Sequence, residues 1–423
     1  MFSKWQWLLT QLTRTLWLRA SLFALLAVTT ALIAIPVERF ITEPFPYSIG
    51  AESVGDILNI LASSMLAVTT FSLSVMVSAY TAASSGATPR ATQLVRQDST
   101  TQNVLATFIG SFLFSLVGII ALSTGVYGDN GRLILFVVTI GIIVLIVVTI
   151  LRWIEHLSRL GRLGETTNRV EQVASQAVQQ RIDYPCLGAR RLDWDNMPAY
   201  LENAIYPDNT GYIQHIDIGK LNRCAEQAEA EITVLAEPGQ FIHPAEAAVC
   251  FSGELTDELE NTIRSAFTVG NERSFDQDPR FGLSVLAEIA SRALSPAVND
   301  PGTAIDIVSR AVRILEPWRE HLSIDDSHED IIYPHVRIAE IKLEDLFDDV
   351  FLPIARDGAA LIEIQLRLQK SLLALKQLCP QCFAEQVERH SEMAFERARH
   401  ALTLEADQQR LRRIVDQIQS CLN

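Results

Sequence analysis

Four long apolar stretches without a charged residue, separated by polar connections, dominate the first 153 residues. They cover residues 20–37, 58–83, 104–127 and 133–151. A helix of about 20 residues crosses the roughly 30 Å hydrocarbon layer of a bilayer and satisfies its own backbone hydrogen bonds there. The pattern therefore predicts an α-helical membrane domain with four transmembrane helices over residues 1–153.

The second stretch carries a row of hydroxyl side chains along one side. At about 100° per helical residue, their positions fall within roughly 80° of one another. This hydroxyl row consists of Ser63, Thr70, Ser74, Ser78, Thr81 and Ser85. Two interpretations fit it. Small hydroxyl residues let helices pack closely and hydrogen-bond in lipid, or they line a pore and replace part of the hydration shell of a permeant.

Basic residues near the ends of the stretches predict the orientation of the chain. Most lie before the first stretch, between the second and third, or after the fourth: Lys4, Arg14, Arg19, Arg90, Arg96, Arg152, Arg159, Arg162 and Arg169. The opposite connections hold only Arg39 and Arg132. Because basic residues near span ends stay on the cytoplasmic side, both termini are predicted to be cytoplasmic.

The charge of the chain belongs almost entirely to its second part. The whole chain of 423 residues has 35 basic and 50 acidic side chains and a net charge of -15. Residues 1–153 hold eight basic and six acidic side chains, so the other 270 residues hold 27 basic and 44 acidic ones. An acidic body of this kind repels phosphate, which excludes a nucleic-acid partner bound by basic charge.

The pattern changes after the membrane part. Residues 154–206 are predicted as an amphipathic stalk and linker, and residues 207–256 as short strands around the Pro238-Gly239 turn. The order of strands and turns resembles a small barrel-sandwich module of the biotinyl/lipoyl-like kind. Lys220 does not lie at a hairpin tip, so the sequence predicts no prosthetic group, and no other cofactor is expected.

Residues 257–423 are predicted to be mostly helical and to end in a helical bundle. Asp278-Pro279 and Asp300-Pro301 each combine an N-cap residue with a first-turn proline, which predicts two helix starts. Six polar residues accompany the corner between these helices: Arg273, Asp278, Arg280, Arg292, Asn299 and Asp300. They form either a site for an anion or another ligand at helix N-termini, or a structural corner.

Cys379-Pro-Gln-Cys382 has the spacing of a redox or zinc motif. No second pair accompanies it, and a structural zinc site takes about four ligands. Structural disulfides are rare in the reducing compartment that the orientation predicts. We therefore expect buried or helix-end thiols and no metal site. The acidic, His-containing residues 318–336 are expected to form an irregular hairpin or loop.

Three sequence blocks together resemble one protein family. They are Ala83-Ser-Ser-Gly-Ala-Thr-Pro-Arg90, Gly211-Tyr-Ile-Gln with Pro238-Gly-Gln-Phe-Ile, and Asp278-Pro-Arg-Phe-Gly with Ala293-Leu-Ser-Pro-Ala-Val-Asn-Asp-Pro301. The set is similar to the bacterial predicted-membrane-protein family called domain of unknown function 2254, over nearly the whole chain. The resemblance implies this architecture and a location in the bacterial inner membrane, and it implies no activity.

The function predicted from these features is a homo-oligomeric ion channel of the inner membrane. The hydroxyl row of the second helix would line the pore, and the acidic cytoplasmic part would form a vestibule or gate. The alternative is a membrane-anchored ligand sensor or scaffold without a pore. No nucleophile elbow, phosphate-binding loop or metalloprotease motif occurs, so no enzyme is expected. The expected partners are lipid, further copies of the chain, and ions.

Overall fold

The computed structural model describes residues 7, 16–38, 51–96, 98–125, 127–193, 203–323 and 331–420. The chain divides into two compact units. One is Leu8–Thr166, here called the membrane unit. The other combines Met1–Trp7 with Thr167–Asn423 and is called the C-terminal unit.

In the described part of the membrane unit, the regular structure is helical. They are α1 (Leu16–Glu38), α2 (Ala51–Gly86), α3 (Pro89–Arg96), α4 (Ser99–Ser123) and α5 (Asp129–Leu157). Within the described residues, three stretches are long and apolar enough to cross a membrane: Glu52–Gly86, Ser99–Ser123 and Asn130–Leu157. These correspond to the second, third and fourth predicted spans.

The first predicted span, residues 20–37, lies in α1. The described apolar part of this helix is Trp17–Ile33. Three of the four predicted spans are therefore confirmed as helices long and apolar enough to cross a membrane, and a crossing by α1 is not confirmed.

The helix α4 is the most deeply packed of the three candidate spans. In the most apolar 18 residues of α4, 61% are buried, against 22% in the corresponding stretches of α2 and α5. Small residues allow this contact, because a Cβ atom at Gly110 would lie 3.3 Å from the Phe23 carbonyl oxygen of α1. A Cβ atom at Gly118 would lie 3.0 Å from Leu58 of α2. Close approach at glycine is the usual way in which helices pack in lipid.

The helical stalk predicted after the last span is interrupted. The helix α5 ends at Leu157, and α6 (Leu163–Asp183) begins after Gly161. Gly161 has a φ of +80°, and a Cβ atom there would lie 3.0 Å from the Ala79 carbonyl oxygen of α2. Glycine is thus required both by the left-handed backbone and by the approach of α2.

The C-terminal unit contains two β-sheets. The strands are β1 (Ala189–Arg191), β2 (Ala204–Ile205), β3 (Gly211–Ile216), β4 (Ile232–Val234), β5 (Phe241–Ile242), β6 (Val249–Phe251), β7 (Phe267–Gly270) and β8 (Tyr333–Ile338). A mixed five-stranded sheet has the order β1-β8-β4-β6-β2, and a three-stranded antiparallel sheet has the order β5-β3-β7. The helices α7 (Ile218–Gln227) and α8 (Asp257–Arg264) lie between strands in the chain.

The predicted barrel-sandwich arrangement is not confirmed. The strands expected within residues 207–256 are present, but they divide between two sheets. One sheet also takes in β1 and β8, and β8 pairs in parallel with both β1 and β4. The strand β8 lies where the sequence predicts an irregular hairpin or loop. Its partners are distant in the chain, and local patterns do not report pairing of that kind.

The rest of the C-terminal unit is helical, as predicted. The elements are α9 (Pro279–Ala293), α10 (Pro301–Leu315), a 3-10 helix (Glu316–Ser323), α11 (Leu343–Asp357), α12 (Ile362–Leu378), α13 (Pro380–Ala401) and α14 (Glu405–Ser420). Both predicted helix starts are confirmed. The Asp278 carboxylate accepts from the Phe281 N–H, and the Asp300 carboxylate accepts from the Thr303 N–H.

Candidate functional site

The hydroxyl row lies on the exposed face of α2. All six of its residues are exposed. The opposite face of the helix is buried within the membrane unit and consists of Val54, Leu58, Leu61, Met65, Ser72, Met76 and Ala83. Among the described residues, the row therefore takes no part in helix packing, which leaves this face for lipid, water or another copy of the chain.

Each hydroxyl of the row is a donor to the backbone of its own helix. The acceptors lie three or four residues earlier, at 2.9–3.1 Å: Ser63 to Asn59, Thr70 to Leu66, Ser74 to Thr70, Ser78 to Ser74, Thr81 to Val77 and Ser85 to Ala82. A hydroxyl has one donor hydrogen and two acceptor lone pairs. Because each hydroxyl hydrogen is donated to a backbone carbonyl group, the oxygen lone pairs of the row remain available as acceptors for an ion or molecule that approaches this face.

Apolar side chains flank the row on both sides. Phe71 is 63% exposed, Val77 is 55% exposed and Leu66 is 53% exposed. From Ser74 these positions lie roughly 60–80° around the helix, at about 100° per residue. The exposed face of α2 thus consists of a narrow line of oxygen atoms between two apolar borders.

Buried polar contacts hold α2 against the other membrane helices. The Trp153 indole N–H of α5 donates to Ser72 Oγ of α2 at 3.0 Å. The Trp153 ring stacks on His156 at 5.7 Å, and His156 Nε2 lies 2.7 Å from Asp98 Oδ2. Asp98 is only 6% exposed and caps α4 by accepting from the Thr101 N–H at 2.9 Å. This chain of contacts links all three candidate spans.

The sequence prediction missed Asp98 and His156. An N-cap signal was present, because Asp98 directly precedes Ser99 at the start of an apolar helix. Nothing local indicates its partner, since the two residues are 58 positions apart.

The six residues of the predicted polar cluster near α9 do not lie together in one ligand site. At the start of α9, Arg273 donates to both carboxylate oxygens of Asp278, at 2.7 and 2.9 Å. Arg280 donates to Asp349 at 2.7 Å and lies 3.4 Å from Asp345. Each of these guanidinium groups is thus already neutralised by carboxylates, which is the structural role weighed above.

The other three cluster residues lie at the far end of α9. This helix has 15 residues, which at 1.5 Å per residue is about 22 Å. Arg292 lies in its last turn. Asn299 adopts a φ of +50° in the corner, and Asp300 caps α10. The side-chain hydrogen bond from Thr303 lowers the pKa of Asp300, so this carboxylate is held charged by the helix that it caps.

Asp278 is the most buried ionisable residue of the cluster. It is 2% exposed, and burial raises the pKa of its carboxyl group although Arg273 acts in the opposite direction. Gly239 of the Pro238-Gly239 turn packs directly on it. Asp278 therefore contacts the Pro238-Gly239 turn, caps the start of α9 and binds Arg273.

A cavity of 270 Å³ lies beside the two sheets in the C-terminal unit. Its lining is formed by residues of β2, β5, β6 and β7, the loop after β2, the residue before β6 and the end of α8: Ile205, Tyr206, Pro207, Asp208, Asn209, Ile242, Ala248, Val249, Arg264, Phe267, Thr268 and Val269. The Oγ1 of Thr268 and the Nε of Arg264 are buried and have no hydrogen-bond partner in the described structure. The cavity lining is more polar than apolar, and the Arg264 guanidinium group is paired with Asp208 and Glu260.

Cys379 and Cys382 form a disulfide in the structure. The sequence predicted buried or helix-end thiols. The helix-end position is confirmed, because Cys379 is the N-cap residue of α13, but the prediction of thiols is wrong because the two sulfur atoms are bonded. Among the described residues, no group of three or more His, Cys, Asp or Glu side chains is placed to hold a metal ion.

Comparison with known proteins identifies a family and no solved relative. A family model described as predicted membrane protein (DUF2254) matches residues 13–374. Uncharacterised proteins from Mycobacterium bovis and Mycobacterium tuberculosis are each 25% identical over 262 residues, which is 60% of this chain and 50% of each relative. The chain thus matches about half the length of these relatives. No solved structure matches it significantly.

Proposed function

The chain belongs to the DUF2254 family of predicted membrane proteins, and we propose that it forms a homo-oligomeric ion channel of the bacterial inner membrane, with the hydroxyl row of α2 along the pore. The observation that carries this proposal is the exposure of all six hydroxyl residues, while the opposite face of α2 is buried. A face of this composition in lipid leaves a line of polar atoms without polar surroundings. Around a symmetry axis, the same face becomes a polar path.

The charge pattern favours cations as the permeant. The hydroxyl hydrogens of the row are donated to backbone carbonyl groups, so oxygen lone pairs face the path. Oxygen ligands suit alkali and alkaline-earth cations. On the cytoplasmic side, to which the basic residues after α5 assign the C-terminal unit, the 44 acidic and 27 basic side chains of residues 154–423 raise the local concentration of cations.

Current recordings in planar bilayers test the proposal. We expect the purified full-length protein to conduct, and the Ser74→Leu and Ser78→Leu variants to lose most of the current, because each replaces an oxygen with a bulky apolar group. Thr149→Leu is the matched control, since Thr149 of α5 also donates to a backbone carbonyl and lies outside the row. A monomeric protein without current, or equal currents in all variants, contradicts the proposal.

The cavity supports a second candidate function, a membrane-anchored sensor of a small ligand. A volume of 270 Å³ is just below the roughly 300 Å³ at which small-molecule pockets begin. Polar residues of its lining, such as Asn209 and Thr268, would orient a small molecule. Subunit number in detergent separates the two functions, because a pore lined by α2 requires several copies and a sensor does not.

A further inference from the structure

The Cys379–Cys382 pair begins the helix α13. Cys379 is the N-cap residue, Pro380 lies in the first turn, and the two sulfur atoms are bonded. Both residues are half-buried rather than enclosed, so a reagent can reach them. The N-terminus of a helix carries partial positive charge, which stabilises a thiolate there.

Two other cysteines of the C-terminal unit differ from this pair. Cys224 and Cys250 are buried in the sheet region. Burial raises the pKa of both thiols. A thiol that is enclosed and protonated reacts slowly with oxidants and disulfides. Cys186 is buried as well, so the reactive sulfur chemistry of the described residues is expected at Cys379 and Cys382.

We propose that Cys379 and Cys382 form a redox-active dithiol that changes between thiol and disulfide in the cell. The step from the observed disulfide to reversible chemistry rests on the cytoplasmic orientation given under the proposed function. Structural disulfides are rare in a reducing cytosol, and those that occur there are usually transient, catalytic or redox-sensing.

The chemistry is thiol–disulfide exchange with a small disulfide such as oxidised glutathione. The Cys379 thiolate attacks one sulfur, so that a mixed disulfide forms and one partner thiolate leaves. The Cys382 thiolate then attacks Cys379 Sγ and expels the second partner thiolate. Two electrons pass from the protein to the partner, and the two protons end on the partner thiols. A reduced dithiol of the thioredoxin class reverses the reaction.

The contacts of Lys376 connect this redox change to the packing of the C-terminal helix. Lys376 lies three residues before Cys379, and its side chain is 1% exposed. Its Nζ donates to Glu388 Oε1 of α13 and to the Ile418 carbonyl oxygen of α14, both at 2.6 Å. Lys376 lies in the last turn of α12, and the disulfide fixes the connection to α13 that directly follows it. Reduction makes this connection more flexible and weakens the contact between Lys376 and α14.

Redox titration of the full-length protein in detergent tests the chemistry. The protein is equilibrated with mixtures of reduced and oxidised glutathione, alkylated, and analysed by mass spectrometry. We expect the pair to pass from mostly reduced to mostly oxidised over a roughly hundredfold change in the thiol–disulfide ratio, while Cys224 and Cys250 stay unmodified. A pair that resists all reduction, or that reacts no faster than Cys250, overturns the proposal.

Hydrogen exchange tests the coupling to α14. We expect amides of Glu405–Ser420 to exchange about tenfold faster after reduction of the wild-type protein. The Cys379→Ser/Cys382→Ser variant is the control, because it should exchange at the fast rate under both conditions. Equal exchange in the oxidised and reduced wild type contradicts the coupling.

Labelling of whole cells separates a failure of the redox proposal from a failure of the orientation. After osmotic opening of the outer membrane, a membrane-impermeant maleimide should not reach the pair until the inner membrane is lysed. Labelling before lysis, after external reduction, shows that the orientation is wrong. Protection before lysis with a permanently oxidised pair shows that the orientation is right and that the redox proposal is wrong.

Discussion

Gly239 and Asp278 are in direct contact, so closely that a Cβ atom at Gly239 would lie 1.9 Å from Asp278 Oδ2. Gly239 also has a φ of +87°, which side chains other than glycine rarely adopt. The contact joins the Pro238-Gly239 turn to the start of α9. Two of the sequence blocks that carry the family resemblance are thus neighbours in space.

Replacement of Gly239 by alanine is expected to destabilise the C-terminal unit strongly. The added methyl group clashes with a buried carboxylate that cannot move without losing Arg273, and the backbone is strained as well. We expect a loss of about 3 kcal/mol or more in the free energy of unfolding, measured by urea titration. Gly219→Ala is the control. A Cβ atom there meets only ordinary contacts at 3.4 Å, and helix propensity favours alanine by up to about 1 kcal/mol.

The arginine cluster at α9 is expected not to bind phosphate. Arg273 is paired with Asp278, and Arg280 is paired with Asp349 and Asp345. A bound anion would have to displace a carboxylate from each guanidinium group. We expect the melting temperature to be unchanged by inorganic phosphate relative to chloride at equal ionic strength. A stabilisation by phosphate that Arg280→Met abolishes would instead restore the ligand-site interpretation.

His390 makes the C-terminal helices sensitive to acid. Burial and the neighbouring Arg389 lower the pKa of His390 from 6.5 to about 4. The histidine is packed beside Phe347 and lies 3.1 Å from Asp348. Because the native state keeps the ring neutral, the unfolded state binds more protons between these two pKa values. The stability from this residue is therefore complete above about pH 6.5 and is lost as the pH falls toward 4.

The measurement is the free energy of unfolding at about pH 7 and about pH 5. Between these values the wild-type protein should lose about 2 kcal/mol that the His390→Leu variant does not lose. His400→Gln is the matched control, since the His400 side chain is 75% exposed and should leave the pH dependence unchanged. An identical pH dependence in wild type and His390→Leu would show that protonation of His390 does not contribute.

Local signals in the sequence predict the elements whose cause is local. The starts of α9 and α10 follow from Asp278-Pro279 and Asp300-Pro301, because capping depends on residues three positions apart. The hydroxyl row follows from helical periodicity alone. The strand β8 does not follow from its sequence, because its partners β1 and β4 lie about a hundred residues away or more. For the same reason, the contact between Asp98 and His156 is visible only in the structure.

The exposure of the row is likewise a property of the fold. Periodicity places Ser74 and Ser78 on one side of α2, but it does not say which side faces the other helices. In the structure that side is occupied by the apolar residues around Leu58 and Met65 and by Ser72, which accepts from Trp153. The hydroxyl row therefore does not pack against the other described helices of the chain, and contacts between copies of the chain remain to be tested.

Cysteine substitution along α2 answers that question residue by residue. Cysteines placed at Ser74 and Ser78 would face the pore, so a charged methanethiosulfonate reagent should reach them and reduce the current by half or more. A cysteine at Leu73, which is 45% exposed and about 100° around the helix from Ser74, should face lipid and stay unmodified. The reagent reacts with the thiolate, which forms only where water reaches the cysteine. Modification therefore shows directly that water reaches that position. If Leu73→Cys reacts as fast as Ser74→Cys, or if neither reacts in a conducting protein, the pore does not follow the hydroxyl row.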